Sequence, residues 1–274
     1  MKRIFFLSGL FMIYSISSFS QTLTKLWTTS DGIKTPESVL YDTSSNSIYV
    51  SNIDGNPSEK DGNGFISVLQ TDGKMKNLHW ISGLNAPKGL AIFKGNLYVA
   101  DIDELVEISI EKSKIVKRYK IENAKFLNDV TANEDGIVYV SDSGDHKIYA
   151  LSHGKISLWL NDKILENVNG LWAEKGQLYI GTAQLLQADM KTKAVKVLIE
   201  KCGGIDGLER LNNGNFIYSN WEGRIFFTKD SGSVKLLDTV GKQNTADIDF
   251  VPDKNIVLVP TFSGNSVEAY QLNL

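Results

Sequence analysis

The stretch Leu127-Asn128-Asp129-Val130-Thr131-Ala132-Asn133-Glu134-Asp135-Gly136-Ile137-Val138-Tyr139-Val140-Ser141-Asp142 decides the fold. It reads as a first strand, a turn and a second, β-rich strand closed by a small and a polar residue. Glu134-Asp135-Gly136 sits where a tight hairpin needs positive φ, which Gly and Asn tolerate. Lys147-Ile148-Tyr149-Ala150-Leu151 and Ile156-Ser157-Leu158-Trp159-Leu160 follow as third and fourth strands, completing a four-stranded unit.

The unit recurs. Pro36-Glu37-Ser38-Val39, Pro87-Lys88-Gly89-Leu90, Val168-Asn169-Gly170-Leu171, Ile205-Asp206-Gly207-Leu208 and Thr245-Ala246-Asp247-Ile248 stand where Leu127-Asn128-Asp129-Val130 stands in its own unit. The pitch of about 40 residues is that of a propeller blade. Second-strand runs recur in step, among them Ser47-Ile48-Tyr49-Val50-Ser51-Asn52, Asn96-Leu97-Tyr98-Val99-Ala100-Asp101 and Asn215-Phe216-Ile217-Tyr218-Ser219-Asn220. The expected fold is therefore all-β, a six-bladed β-propeller. An all-β sandwich with accidental strand similarity is the competing architecture, and the blade-length period argues against it.

After Ala246 only three strands fit before the end of the chain. A closed ring has to hide the edge between its first and last blades. Leu23-Thr24-Lys25-Leu26-Trp27-Thr28 resembles the outer-strand segment Lys76-Asn77-Leu78-His79-Trp80-Ile81, so the N-terminal strand is expected to complete the last blade.

Ahead of that strand, Met1-Lys2-Arg3, the apolar run from Ile4 to Tyr14 and the small residues around Ser18-Phe19-Ser20 have the three zones of a secretory signal. Residues 1–20 are read as a signal peptide and residues 21–274 as a single propeller domain, exported to a periplasm or beyond the cell. No later stretch approaches the roughly 20 apolar residues of a membrane-spanning helix, so stable membrane insertion is not expected. The formal net charge is −3, and loss of Lys2 and Arg3 takes it to −5. That balance argues against nucleic acid and favours a small-molecule substrate or a protein partner. Cys202 is the only cysteine, which excludes an intramolecular disulfide, and it reads as a packed small residue. A Gly-x-Ser-x-Gly elbow, His-Glu-x-x-His, a phosphate loop and Cys-x-x-Cys are all missing.

The first strands of a propeller line its channel. Reading one position around the ring gives Glu37, Lys88, Asn128, Asn169, Asp206 and Ala246. Two carboxylates and two carboxamides present hard oxygen donors that suit a divalent cation, calcium before magnesium or manganese, and zinc less well. The alternative is that these groups bond loop backbones at the strand entrances. Glu37 resists that reading best, because a carboxylate facing a narrow channel is costly unless protonated, paired with Lys88 or bound to metal.

These residues resemble the metal-binding pattern of the gluconolactonase and regucalcin (senescence marker protein) family of six-bladed propellers. The pattern is Glu in the first blade, Asn-Asp in the third, Asn-Gly-Leu in the fourth and Asp-Gly-Leu in the fifth. The resemblance implies one divalent cation held by Glu37, Asn128, Asn169 and Asp206 and hydrolysis of a lactone or related ester, with Asp206 the candidate catalytic base or, equally compatible, the residue that orients a metal-bound water. Phe126 departs from the pattern: sugar-lactone hydrolases of one subset carry an arginine there, and Lys125 is a poor substitute. Lys88 and His146 are further candidates for touching substrate. The insertion from Asp54 to Gly64 is expected to overhang the same face, as a lid or as a surface loop. A competing reading comes from Tyr139-Val140-Ser141-Asp142-Ser143-Gly144-Asp145-His146-Lys147-Ile148, which is similar to the NHL-type blade signature of non-catalytic binding propellers.

Overall fold

The computed structural model describes residues 21–274; the expected signal peptide, residues 1–20, lies outside the described residues. The protein is a six-bladed β-propeller of six four-stranded antiparallel sheets. Blade 1 consists of Pro36–Asp42, Ser47–Asn52, Gly64–Gln70 and Met75–Leu84, and the inner strands of blades 2 to 5 begin at Pro87, Leu127, Leu171 and Leu208. Blade 6 is composite. Asp249–Val251, Ile256–Pro260 and Val267–Asn273 are joined by Thr22–Thr29, which pairs antiparallel with the last strand from Thr22↔Asn273 to Thr29↔Val267.

The ring is fastened a second time at its centre. Asp247 N donates to Glu37 O at 2.9 Å, and Ser38 and Asp247 form a parallel bridge between the inner strands of blades 1 and 6.

Burial follows strand position. The second strands Ser47–Asn52 and Val138–Asp142 are buried throughout, because neighbouring blades cover both of their faces. The outer strands Lys114–Lys120 and Lys155–Asn161 are largely exposed, and their lysines discourage edge-to-edge pairing. The hairpins turn on left-handed pairs such as Lys94-Gly95, with φ of 47° and 78°, and His153-Gly154, with φ of 49° and 74°. These are the conformations that right-twisted two-residue hairpins require.

The hydrophobic core is itself ring-shaped. Tyr49 and Ile66 of blade 1 pack on Leu97 and Val99 of blade 2, and Tyr139 and Ile148 of blade 3 on Leu178 and Ile180 of blade 4. Ile48 and Val50 meet Leu258 and Ala269 across the closure. Apolar burial thus lies between blades, which leaves the axis to polar residues.

Candidate functional site

In blades 1, 2 and 3 the ladder between first and second strands skips, between Pro36 and Val39, Pro87 and Leu90, and Leu127 and Val130. Glu37, Lys88 and Asn128 occupy these irregularities, and a bulge of this kind re-aims a side chain at the cost of ladder bonds. Serines in the second strands of blades 1 and 3 recover part of that cost, and a serine of blade 5 makes the same bond. Ser51 Oγ accepts from Ser38 N at 2.9 Å, Ser141 Oγ from Asp129 N at 2.9 Å and Ser219 Oγ from Gly207 N at 2.8 Å. In blades 2 and 3 the incoming loops are pinned by the aspartate that closes the second strand: Asp101 accepts from Asn85 N and Ala86 N, and Asp142 from Lys125 N and Phe126 N.

This scaffold brings Glu37, Lys88, Asn128, Asn169 and Asp206 to one cavity of about 360 Å³. Ala246, the sixth ring position, is fully buried. Asn169 Nδ2 donates to Asp206 Oδ1 at 2.5 Å. Asn128 Nδ2 donates to Ser143 Oγ at 3.2 Å, and that hydroxyl donates to Val168 O at 2.6 Å. Glu37 Oε2 is buried and has no hydrogen-bond partner among the described residues.

Lys88, buried to 1 % exposure, spends its ammonium on protein. Nζ donates to Ala86 O at 2.9 Å and to Pro57 O at 3.0 Å, and lies 4.4 Å from the centroid of the Phe126 ring. The bond to Pro57 fixes the insertion of blade 1 over the cavity, and the Lys60–Asp103 ion pair at 2.6 Å holds its far side. His146 does not line the cavity; it is exposed, and its Nδ1 accepts from Asn167 N at 3.2 Å. Cys202 is a buried free thiol away from this cavity.

Burial dominates the electrostatics. It pushes Glu37 well above the carboxylate range, with the negative charges of Asp206 and Asp129 adding to the shift and Lys88 opposing it. Asp206 is pushed up to about 7 by burial, against the stabilising hydrogen bond from Asn169. Lys88 falls to about 8 because desolvation outweighs the attraction of Glu37 and Asp101. An unpartnered, desolvated carboxylate beside a second one is an unfavourable arrangement that either protons or a cation would relieve.

The donor set fits a hard cation. Glu37 and Asp206 supply charge, and no hydrogen bond among the described residues reaches the side-chain oxygens of Asn128 or Asn169. Among the described residues no three histidines, cysteines or carboxylates form a metal cage, so the two amides would be needed to complete the ligands.

The other cavity walls are Ile53, Pro57, Phe126, Trp221 and Phe262. Sequence reasoning did not reach Ile53, Trp221 or Phe262, yet a signal existed. Ile53 follows Ser51-Asn52 and Trp221 follows Ser219-Asn220, both directly after a second strand, while Phe262 follows Pro260-Thr261 at nearly the same place.

No protein-family profile and no curated protein matches the chain. Solved structures share its fold. A provisionally assigned gluconolactonase superposes with a TM-score of 0.68 at 16% identity, covering 92% of each chain. A streptogramin B lyase gives 0.67 at 12% identity over 92% of this chain and 98% of its own. A catalytically inactive virginiamycin B lyase from Staphylococcus aureus, with quinupristin, gives 0.64 at 12% identity over 93% and 100%. At these identities the likeness is one of fold, and function has to be argued from the site.

Proposed function

We propose that this chain is an exported, divalent-metal-dependent hydrolase of a lactone or related ester, working at the mouth of the central channel. The observation that carries the proposal is the buried, unpartnered Glu37 Oε2 in a cavity that also presents Asp206, Asn128 and Asn169. Those four side chains would hold the cation, calcium by preference for hard oxygen donors of this number. When bound, such a cation polarises an ester carbonyl and offsets the negative charge that develops on its oxygen.

The remaining chemistry belongs to the chain. Asp206, held through Oδ1 by Asn169, orients a water and takes its proton as the water oxygen bonds to the acyl carbon. The acyl–oxygen bond then breaks, and the proton passes to the departing alkoxide. Ser143 holds Asn128, and Pro57 covers the cavity from above.

Thermal melting of metal-stripped protein tests the metal site. Calcium at about 100 times its dissociation constant should stabilise the fold by about 2.7 kcal/mol if it binds only the native state. No shift with calcium, magnesium, manganese or zinc would remove the metal site and with it the hydrolase reading. A non-catalytic binding propeller would then be the reading left.

A further inference from the structure

Resting on that hydrolase reading, we infer that the cavity selects lactones or esters bearing an apolar alkyl or aryl group over polyhydroxylated sugar lactones, and that Trp221 and Phe262 seat this group. The polar side chains of the cavity are confined to the ring of inner-strand residues. Every wall residue beyond it is apolar: Ile53, Pro57, Phe126, Trp221 and Phe262. Lys88, the only cation on the lining, is occupied by two carbonyls and the Phe126 ring, so a sugar hydroxyl or carboxylate would have to displace them.

Trp221 lines the cavity and is 46 % exposed, so its indole offers apolar area that a bound group can cover. Phe262 meets it edge-on with ring centroids 4.4 Å apart. Asn244 braces the pair. Its Nδ2 donates to Trp221 O at 2.9 Å, and its Oδ1 accepts from the Ser263 hydroxyl, so one side chain ties the Trp221 loop of blade 5 to the Phe262 loop of blade 6. A braced aromatic wall is organised before substrate arrives, which lowers the cost of binding a flat or aliphatic group. Sugar hydroxyls against the same wall would lose water without gaining a partner, at a cost on the order of tenfold in affinity for each.

Three δ-lactones of one ring size test this on the calcium-loaded protein: glucono-δ-lactone, δ-decalactone, which adds an alkyl chain, and unsubstituted δ-valerolactone. The expected kcat/KM for δ-decalactone exceeds that for glucono-δ-lactone by at least about 100-fold, the loss from two unmatched hydroxyls. Trp221→Ala should lower kcat/KM for δ-decalactone at least about tenfold more than for δ-valerolactone, and Trp221→Phe should restore most of it. Circular dichroism checks that the fold is kept. Equal or better turnover of glucono-δ-lactone, or an equal loss on both plain and alkylated rings, overturns the inference and leaves the hydrolase reading standing. If none of the three is hydrolysed, the hydrolase reading falls, and tryptophan fluorescence decides the pocket. Saturable quenching by δ-decalactone that disappears in Trp221→Phe, with none from glucono-δ-lactone, supports an apolar site; no such quenching overturns it.

Discussion

The central channel holds two groups of carboxylates that differ in how many hydrogen bonds they accept. At the cavity mouth, Glu37 Oε2 has no partner, and Asp206 accepts one bond from a side chain that is itself part of the site. Further along the inner strands, Asp129, Glu209, Asp247 and Asp249 line a smaller space of about 140 Å³. There, Asp129 accepts from Val130 N and from Leu171 N of the next blade, Asp247 accepts from Ser38 Oγ at 2.5 Å, and Asp249 accepts from Phe250 N and from Tyr41 N across the ring closure. The deeper aspartates sew blade 3 to blade 4 and blade 6 to blade 1. One kind of group, the carboxyl, therefore does two jobs, and the supply of nearby N–H and O–H donors decides which. Glycines are placed to allow the sewing: a Cβ on Gly89 would come within 2.5 Å of Asp129 Cα, and one on Gly207 within 2.2 Å of Ile248 N.

That contrast can be broken first at Asp206. Asp206→Asn keeps an oxygen for the Asn169 amide, so the fold should persist while turnover falls by about 100-fold or more. Activity within a few-fold of wild type would remove Asp206 from the mechanism. The opposite result is expected one layer down. Asp129→Ala strands Val130 N and Leu171 N without an acceptor and should cost about 2–4 kcal/mol, or roughly 5–15 °C in melting temperature for a domain of this size. An unchanged melting temperature would show that the deeper aspartates are not fasteners. Glu37→Gln sharpens the division by a different readout: it should abolish most of the calcium-dependent rise of about 2.7 kcal/mol. An Asp249→Asn variant should retain that rise. Equal losses in both would merge the two groups into one.

The same physics explains what was legible in the sequence. The fold was, because blade period, hairpin glycines and strand alternation are local and repeat, and the orphan strand at Leu23 could be matched to the shortage after Ala246. The ring Glu37, Lys88, Asn128, Asn169 and Asp206 was legible too, because one repeat position maps to one height on the channel axis, and all five line the cavity. His146 was placed on the correct face by the same logic, but radial distance is not encoded in repeat position, and its side chain meets Asn167 instead of the cavity. The fastening by Asp129, Asp247 and Asp249 was hidden because it depends on which neighbouring blade offers a donor, a backbone N–H for Asp129 and Asp249 and the Ser38 hydroxyl for Asp247. Trp221 and Phe262 read as ordinary loop residues until Asn244, remote from both in sequence terms, is seen to brace them.

The smallest single-variant effect is in the pH dependence of stability, to which the deeper group and the mouth both contribute, since burial raises Glu37 and Asp206 in the same direction. Burial pushes Asp249 up to about 7, against the hydrogen bonds from Tyr41 N and Phe250 N. Glu209 shares its cavity and is held well above the carboxylate range by burial and by the charges of Asp249 and Asp129. For each of these groups the folded chain keeps a proton that the unfolded chain sheds near pH 4. The folded state binds more protons over that interval, so stability is full below about pH 4 and declines as pH rises towards 7. Metal-stripped protein should accordingly melt at a lower temperature at pH 7.5 than at pH 5. Asp249→Asn removes one titrating group and should flatten the slope, whatever it does to the absolute melting temperature. Asp129 and Asp247, raised by burial as well, face the same space and tilt the profile the same way, so the variant should reduce the slope without erasing it. A melting temperature that climbs between pH 5 and 7.5, or a variant with the wild-type slope, would mean that these carboxylates are ionised in the fold, and the channel would then need a counter-charge along its whole length.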